Sequence, residues 1–398
     1  MVRTAYNQTP LQASEYAGPA ALYIHWPFCL KKCPYCDFNS HVRDSVDQEE
    51  WRKSFSFEVK SFARLFPNLK PKSIFFGGGT PSLMEAATVA QLINDIDQAW
   101  GVSSSIEVTL EANPSSVEAS RFQGYKAAGV NRLSMGVQSL HNDALKFLGR
   151  LHSSEEALAA LKIARSIFDR VSIDLIYARP DFRDHSWEDE LRRALDFDLS
   201  HLSLYQLTIE EGTAFHHQYE RGQFSLPDED AAADLYALTQ DITNAAGLPA
   251  YEISNHAGLG QESQHNLAYW QGDPYLGLGP GAHGRAPGPL QTEIFSQAHF
   301  QMKRPEDWVK QVALKGVGTG HVDPINHEDR MIEAVMMGLR LTEGINRAKF
   351  RLIFGCDVLT LLNKDHLDPL YITVSESSVK LTRHGLPVLN HLLEKILL

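Results

Sequence analysis

The sequence lacks an uncharged apolar run of about eighteen residues, the length that a membrane-spanning helix needs. Its first twenty residues also lack the apolar centre of a secretory signal, so we expect a cytoplasmic protein. Basic residues are fewer than acidic ones, and the net charge of −12 gives no global attraction to nucleic acid or to an anionic membrane. With 398 residues and 43% hydrophobic content, the chain has room for one large domain and a smaller one.

Cysteine is also scarce, but three of the four cysteines are crowded into one short segment. Cys29, Cys33 and Cys36 form the pattern CxxxCxxC, which in a reducing compartment indicates a metal site and not a disulfide framework. Three thiolates on one loop can each bind one iron of a cubane and leave the fourth iron without a protein ligand. Zinc is the alternative, with His25 or His41 completing a Cys3His set.

The fourth cysteine and the aromatic residues around the first three have separate interpretations. Cys356 follows an apolar stretch and is predicted to be a small buried hydrophobe. The aromatic neighbours of the cysteine triplet would screen a cluster from water and so tune its potential. These neighbours are Trp26, Phe28, Tyr35 and Phe38.

Residues 21–210 alternate strand-like and helix-like patterns six times. This alternation predicts an α/β fold with a parallel sheet, whose ligands gather at the carboxyl ends of the strands. Cys29, the sequence GGGTP at residues 77–81, Glu111 and Gln138 all follow predicted strands. The predicted strands are residues 21–25, 73–76, 106–110, 132–136, 171–176 and 201–207, and the clearest helices are residues 48–66, 84–100 and 154–168.

The rest of the chain is expected to form three further parts. Residues 1–20 are an N-terminal extension, and residues 211–325 are interpreted as a loop-rich extension because glycine and proline cluster at 272–289. Residues 326–398 predict a small winged-helix-like α+β domain, with a hairpin at 371–374 and 378–382 between helices at 328–339 and 386–397. Acidic and basic residues are balanced there, so we expect no nucleic-acid partner.

CxxxCxxC with an aromatic residue before the third cysteine, followed by GGGTP, resembles the radical S-adenosylmethionine (SAM) superfamily over the first 210 residues. The resemblance implies a partial (β/α)6 barrel and a 4Fe-4S cluster held by Cys29, Cys33 and Cys36. It also implies that the amino and carboxylate groups of SAM chelate the fourth iron, where an electron can cleave SAM to a 5′-deoxyadenosyl radical.

The same resemblance assigns a SAM pocket residue by residue. Gly78, Gly79 and Thr80 match the site for the SAM amino group, and Glu111 would pair with that ammonium group. Matching positions for the ribose are Gln138 and Asp174, the carboxylate-binding arginine is Arg150, and the aromatic lining is Tyr23 and Tyr35.

Two features separate the subfamilies that this sequence resembles. Oxygen-independent coproporphyrinogen III oxidases carry a further cysteine where this chain has Phe38, and a longer segment before the first cysteine. The sequence HNxxYW at His265, Asn266, Tyr269 and Trp270 instead resembles the signature of HemW-type haem chaperones. On a helix His265 and Tyr269 would share one face, where a histidine can ligate haem iron and aromatic rings can stack on a porphyrin.

The resemblance therefore implies a protein that binds haem as cargo and delivers it to respiratory haem proteins, whose place at the membrane stays open. A reductant such as flavodoxin or ferredoxin would supply electrons to the cluster. Coproporphyrinogen III oxidation, or radical SAM chemistry on another tetrapyrrole, remains the alternative, so enzymatic activity stays undecided and no catalytic residue is assigned. His265 packing among aromatic residues as a core histidine, and a homodimer, also stay open.

Overall fold

The computed structural model describes residues 10–180 and 186–397. Residues 1–9 of the predicted N-terminal extension lie outside the described residues. Across the described part of the chain, no helix combines the length and the apolar character that crossing a bilayer requires.

An eleven-stranded sheet organises the molecule. Six parallel strands lie side by side in chain order, which confirms the predicted (β/α)6 alternation. They are Pro19–Trp26, Lys70–Gly78, Glu107–Ala112, Arg132–Gln138, Arg170–Tyr177 and His201–Gln206. Helices between them cover the outer face of the sheet: Gln48–Leu65, Ala86–Trp100, Phe122–Ala128, Ser154–Ile167 and Trp187–Leu195, with shorter helices at Ser116–Ala119 and Asn142–Phe147.

The two faces of each strand have different chemistry because side chains alternate along a strand. Leu22, Ile24 and Trp26 pack outward into the main hydrophobic core under the helices. The intervening Tyr23 and His25 point inward, and the inner face of the other core strands is mainly polar, although Phe75 also lies there. The barrel interior is therefore a polar space enclosed by an apolar shell.

The stretch interpreted as loop-rich contributes strands to the sheet. Its glycines do not mark loops alone: Gly277 lies inside a strand, where a Cβ atom would meet the His283 carbonyl oxygen of the neighbouring strand. Helices Ala214–Glu220 and Glu229–Ala245 precede the added strands, and helices Gln264–Trp270 and Pro305–Lys315 lie between them. Those strands are Asn255–Ala257, Tyr275–Leu278, His283–Pro287, Ser296–Gln301 and Thr319–Ile325.

A small α+β unit ends the chain, as the sequence predicts. Its sheet orders the strands Ile345–Asn346, Ser378–Leu381 and Ile372–Val374. The helices His327–Gly338, Arg347–Phe354 and Leu389–Ile396 pack around a separate apolar cluster. Asp273 connects this unit to the barrel, because its buried carboxylate accepts Lys72 at 2.7 Å and Lys349 at 2.8 Å.

Glu58, on the first long helix, joins that helix to the added strands. Its fully buried carboxylate accepts the backbone N–H groups of Gly279 and Gly318 and the indole N–H of Trp308, at 2.9, 2.8 and 3.2 Å. Burial raises the pKa of Glu58 to about 7, although these three donors lower it. The carboxylate is satisfied only when the extension is docked.

Glu58 should make the stability of the protein pH-dependent. Because its folded pKa exceeds its unfolded pKa, its contribution is complete below about pH 4.5 and is lost as pH rises through about 7. We expect the free energy of unfolding to fall by about 3 kcal/mol more in the wild type than in Glu58→Gln between pH 4 and 8. Urea unfolding at both pH values measures this difference. An equal change in the free energy of unfolding of the two proteins would contradict it.

Candidate functional site at the carboxyl end of the barrel

The cysteine loop, residues 29–36, continues directly from the Pro19–Trp26 strand. Cys29 lies in a two-residue strand, Phe28–Cys29, that pairs with His41–Val42, and the Cys36 N–H donates to the Cys33 carbonyl. Asn39 fixes the loop to the extension by donating to the Pro280 and Lys303 carbonyl oxygens at 3.0 and 2.8 Å. The loop is thus held by backbone pairing at Cys29 and by the side-chain amide of Asn39.

The three loop cysteines face one cavity of about 240 Å³ at the carboxyl ends of the core strands. Most of the residues that the sequence assigns to the SAM pocket line it too, although they come from five different strand ends. The cavity is lined by Cys29, Cys33, Tyr35, Cys36, Gly78, Gly79, Thr80, Glu111, Gln138, Arg150 and Asp174. Tyr23 is not among its lining residues.

The thiols are free and surrounded by donors that suit thiolates. Thr80 donates its hydroxyl to Cys29 Sγ at 3.4 Å, and Arg150 donates to Cys33 Sγ at 3.5 Å. Burial raises the pKa of Cys29 and of Cys36. Such buried thiols would ionise readily only when a metal replaces their protons.

The geometry disfavours the zinc alternative. Both ring nitrogens of His25 are occupied, Nδ1 by the Tyr23 hydroxyl at 3.0 Å and Nε2 by the Asn39 carbonyl at 2.9 Å. His41 Nε2 is bonded to the Lys303 carbonyl. Within the described ranges, one group alone brings three potential ligand atoms within 4.8 Å of each other, and it is the surface trio His216, His217 and Glu220. The three thiols are therefore spaced more widely than the ligands of a single ion.

The aromatic neighbours of the cysteines do not all act as a screen. Trp26 and Phe28 instead pack edge-on against Trp51 in the core, with ring centroids 5.9 and 4.9 Å away. Tyr35 and Phe38 do line the cavity, but Phe38 is 58% exposed at its mouth. The expectation of four screening rings was wrong for Trp26 and Phe28, because alternation along the strand turns Trp26 outward.

The three glycines of the glycine loop, residues 77–81, have no room for side chains. Gly78 adopts φ +112°, and a Cβ atom there would lie 2.6 Å from the His25 ring. A Cβ atom on Gly79 would lie 2.8 Å from the Phe28 carbonyl oxygen. The loop backbone is thus pressed against the strand that carries the cysteines, and Gly78 N–H donates to Glu111 at 3.2 Å.

Two carboxyl groups share the cavity floor. Burial raises the pKa of Glu111 to about 8, with a further increase from the negative charge of Asp174. The pKa of Asp174 rises to about 6 through burial, although hydroxyl donors such as Ser134 lower it. A cationic ligand would lower the pKa of both groups. Glu111 is the group expected to pair with such a ligand.

Arg150 is the cation that faces these acids. Besides Cys33, it donates to the Gly136 carbonyl at 2.8 Å and to the Asn113 side chain. Sequence reasoning missed Asn113 and Glu118, which line the same cavity and bond to each other. Asn113 follows Glu111 by two residues at a strand end, and this position was the available signal.

The HNxxYW residues lie at the opposite end of the barrel from the cysteine loop. Their helix, Gln264–Trp270, is capped by Ser263 at its N-terminus. It packs against the inner face of the Lys70–Gly78 strand. His265 is 1% exposed, with Nδ1 bonded to the Ser73 hydroxyl at 3.0 Å and Nε2 to the Tyr269 hydroxyl at 2.8 Å. Burial lowers the pKa of His265 to about 3, so the ring is neutral.

The helix therefore does place His265 and Tyr269 on one face, but in contact with each other. Trp270 lies under the Arg340 guanidinium, 5.9 Å from the ring centroid. Asn266 donates to the Tyr251 hydroxyl at 3.4 Å. Ligation of haem iron by His265 would need one of its two hydrogen bonds to break, so that assignment stays a prediction.

Comparison with known proteins gives consistent similarities. Residues 23–194 match the family model of the radical SAM superfamily, and residues 325–388 match that of the HemN C-terminal domain. A Haemophilus influenzae protein described as heme chaperone HemW is 36% identical, with 95% of this chain and 98% of that protein covered. The Bos taurus radical S-adenosyl methionine domain-containing protein 1, mitochondrial, is 41% identical over 86% of this chain and 77% of its own length.

A solved structure also resembles most of this chain. Escherichia coli coproporphyrinogen III oxidase (HemN), described as a radical SAM enzyme, aligns with a TM-score of 0.78 over 96% of this chain and 90% of that chain. Its sequence identity is 21%, so this likeness is one of fold.

Gly78→Ala should destabilise the protein far more than an equivalent change in an open turn. Gly78 and Gly222 both have positive φ, but only at Gly78 would a Cβ atom collide, against a ring held by two hydrogen bonds. We expect Gly222→Ala to cost about 1 kcal/mol, and Gly78→Ala at least about 2 kcal/mol more. Urea unfolding of both variants measures the costs, and similar losses would contradict the steric argument.

Proposed function

This chain belongs to the HemW family of radical SAM proteins, and from that premise we propose that it is a haem chaperone. In this proposal it binds haem as cargo and passes it to respiratory haem proteins, and it carries a SAM-ligated 4Fe-4S cluster. The observation that carries the proposal is the single cavity that joins three free thiols to the glycine loop, while the HNxxYW helix closes the other end of the same barrel.

Cys29, Cys33 and Cys36 are the proposed cluster ligands. When bound, a cluster of this kind holds SAM at its open iron and supplies the electron for its cleavage. Thr80 and Arg150 would then donate to the thiolates of Cys29 and Cys33 and help to hold their negative charge. A flavodoxin- or ferredoxin-like reductant is the proposed electron source.

The cavity polar groups are the proposed SAM ligands. Glu111 would take the ammonium group beside the backbone of Gly78 and Gly79, and Asp174 and Gln138 would bind the ribose. Arg150 offers a guanidinium to the carboxylate. Tyr35 is a further proposed SAM contact. Tyr23 would instead support the glycine loop, by packing against Gly77 and bonding to His25.

Haem contact is proposed at His265, Asn266, Tyr269 and Trp270. Aromatic rings and a neutral imidazole suit a porphyrin and its iron. Because His265 is bonded at both nitrogens, haem would have to displace the Tyr269 hydroxyl from Nε2.

The second candidate is the coproporphyrinogen III oxidase activity that the HemN structure suggests through its fold. Phe38 stands where those oxidases carry a further cysteine, and this departure argues against that activity. Anaerobic assay of coproporphyrinogen III conversion, with intact cluster and reductant, decides between the two candidates.

Anaerobic reconstitution should load about four irons and four sulfides per chain. Alanine at Cys29, Cys33 or Cys36 should lower the iron content sharply, because each substitution removes one cluster ligand. Cys356→Ala is the matched control, since Cys356 packs against Met331 far from the loop. Zinc in place of iron, or equal loss in the control, would refute the cluster assignment.

Titration of the cluster-loaded protein with haem should give a Soret band. We expect His265→Ala to weaken haem binding about tenfold through loss of an axial ligand, while the exposed His384→Ala leaves it unchanged. Optical titration measures both variants. An unchanged band in His265→Ala would remove the assigned ligand and leave His265 as a core histidine.

A further inference from the structure

Besides acceptors such as Glu107 Oε2, three buried polar atoms on the inner face of the barrel have no hydrogen-bond partner. They are Arg132 Nη2, Thr109 Oγ1 and His201 Nδ1. The three residues are 2%, 0% and 3% exposed, respectively. Buried polar atoms in native structures are nearly always paired, so such a group needs a physical explanation.

The sheet register puts these residues close to one another inside the barrel. Thr109 and Arg132 are direct partners across neighbouring parallel strands. Leu133 and Met135 lie in the outer core, so alternation turns Arg132 inward. The charge of Arg132 lowers the pKa of His201 and of His265, after the larger effect of burial. The guanidinium is therefore near both the orphan imidazole and the HNxxYW helix.

The charge of Arg132 is compensated only in part, because burial lowers its pKa although the charge of Glu107 raises it. Glu107 forms its ion pair with Arg170 at 2.8 Å, and Asp174 accepts the Ser134 hydroxyl. Among the residues that the structure describes, no carboxylate lies within 4.0 Å of the Arg132 guanidinium. A buried guanidinium without a direct ion pair is costly, and its planar fork suits a carboxylate.

The hydrogen-bond network makes His201 Nδ1 a donor as well. Asn266, from the HNxxYW motif, donates to the Tyr251 hydroxyl oxygen. The Tyr251 hydroxyl, 3.0 Å from His201 Nε2, is then free to donate its proton there. This arrangement assigns the remaining imidazole proton to Nδ1. A guanidinium, an N–H and a hydroxyl that can each donate form a set that suits an anion.

We propose that Arg132, Thr109 and His201 form a carboxylate-binding site inside the barrel, and that it receives a propionate group of haem. This inference rests on the proposed haem-chaperone function. Ser134, two residues after Arg132 on the inner face of the same strand, donates to Asp174, which lines the cavity, so Asp174 lies between the cavity and the new site. The propionate would therefore lie near the HNxxYW helix, with the iron on the side of His265.

The test compares haem with its dimethyl ester, in which both propionates are neutral. The cluster-loaded wild type should bind haem about tenfold more tightly than the ester. Arg132→Gln should bind both at the level of the ester, whereas Arg165→Gln, at a half-exposed surface arginine, should keep the preference. Thr109→Val, which removes one orphan hydroxyl at nearly constant volume, should reduce the preference several-fold.

Thermal unfolding separates a binding role from a structural one. Arg132→Gln removes a buried charge that its neighbours compensate only in part, so the melting temperature of the haem-free protein should rise or stay level. A marked fall in melting temperature, with the preference for haem retained, would overturn the site and make Arg132 a structural residue.

Other results would also overturn the proposal. Equal affinity of the wild type for haem and its ester would exclude recognition of the propionate. Stabilisation by millimolar succinate that depends on Arg132, without any preference for haem over the ester, would assign the site to a small carboxylate. A wild type that binds neither compound would refute the haem-chaperone function itself, a result distinct from equal binding of the two.

Discussion

The parallel pairing of the Pro19–Trp26 strand on both of its edges is the constraint on which the rest of the structure depends. One edge pairs with Lys70–Gly78, which ends in the glycine loop, and the other with Tyr275–Leu278, which leads to Pro280. Because the cysteine loop continues from this central strand, it emerges between the two. The glycine loop meets Phe28, and Asn39 is held at Pro280 and Lys303. A loop without regular structure is thereby fixed by two neighbouring strands.

The same strands enclose a polar interior, and its groups are only partly satisfied within the chain. Glu111 and Asp174 have raised pKa values, and Arg132 has an orphan nitrogen. Each of these features lowers the free energy of unfolding of the protein alone. The apolar shell under the helices compensates for these costs, and a ligand that carries an ammonium group or a carboxylate would relieve them. Along each strand, the inward polar residues thus serve binding, and the outward apolar residues serve stability.

Much of the fold was predictable from the sequence because the six core strands have strong patterns and end in distinctive residues. The site followed from the same rule, since strand ends in a parallel sheet converge. The added strands were missed because Gly277 was interpreted as a loop residue. A glycine is needed there because a Cβ atom would collide with a carbonyl oxygen of the neighbouring strand. Helical spacing predicted the shared face of His265 and Tyr269, but not Ser73, which is 192 residues away and occupies Nδ1. Partners that distant leave no local pattern.

A row of aromatic rings in contact with one another runs between the two ends of the barrel. His265 stacks on Phe75 with centroids 4.7 Å apart, and both Phe75 and Tyr23 contact the place where a Cβ atom of Gly77 would be. Tyr23 also bonds to His25, whose ring fills the space beside Gly78. Phe75 also stacks on Tyr23, so these rings form a continuous row of contacts from the HNxxYW helix to the glycine loop.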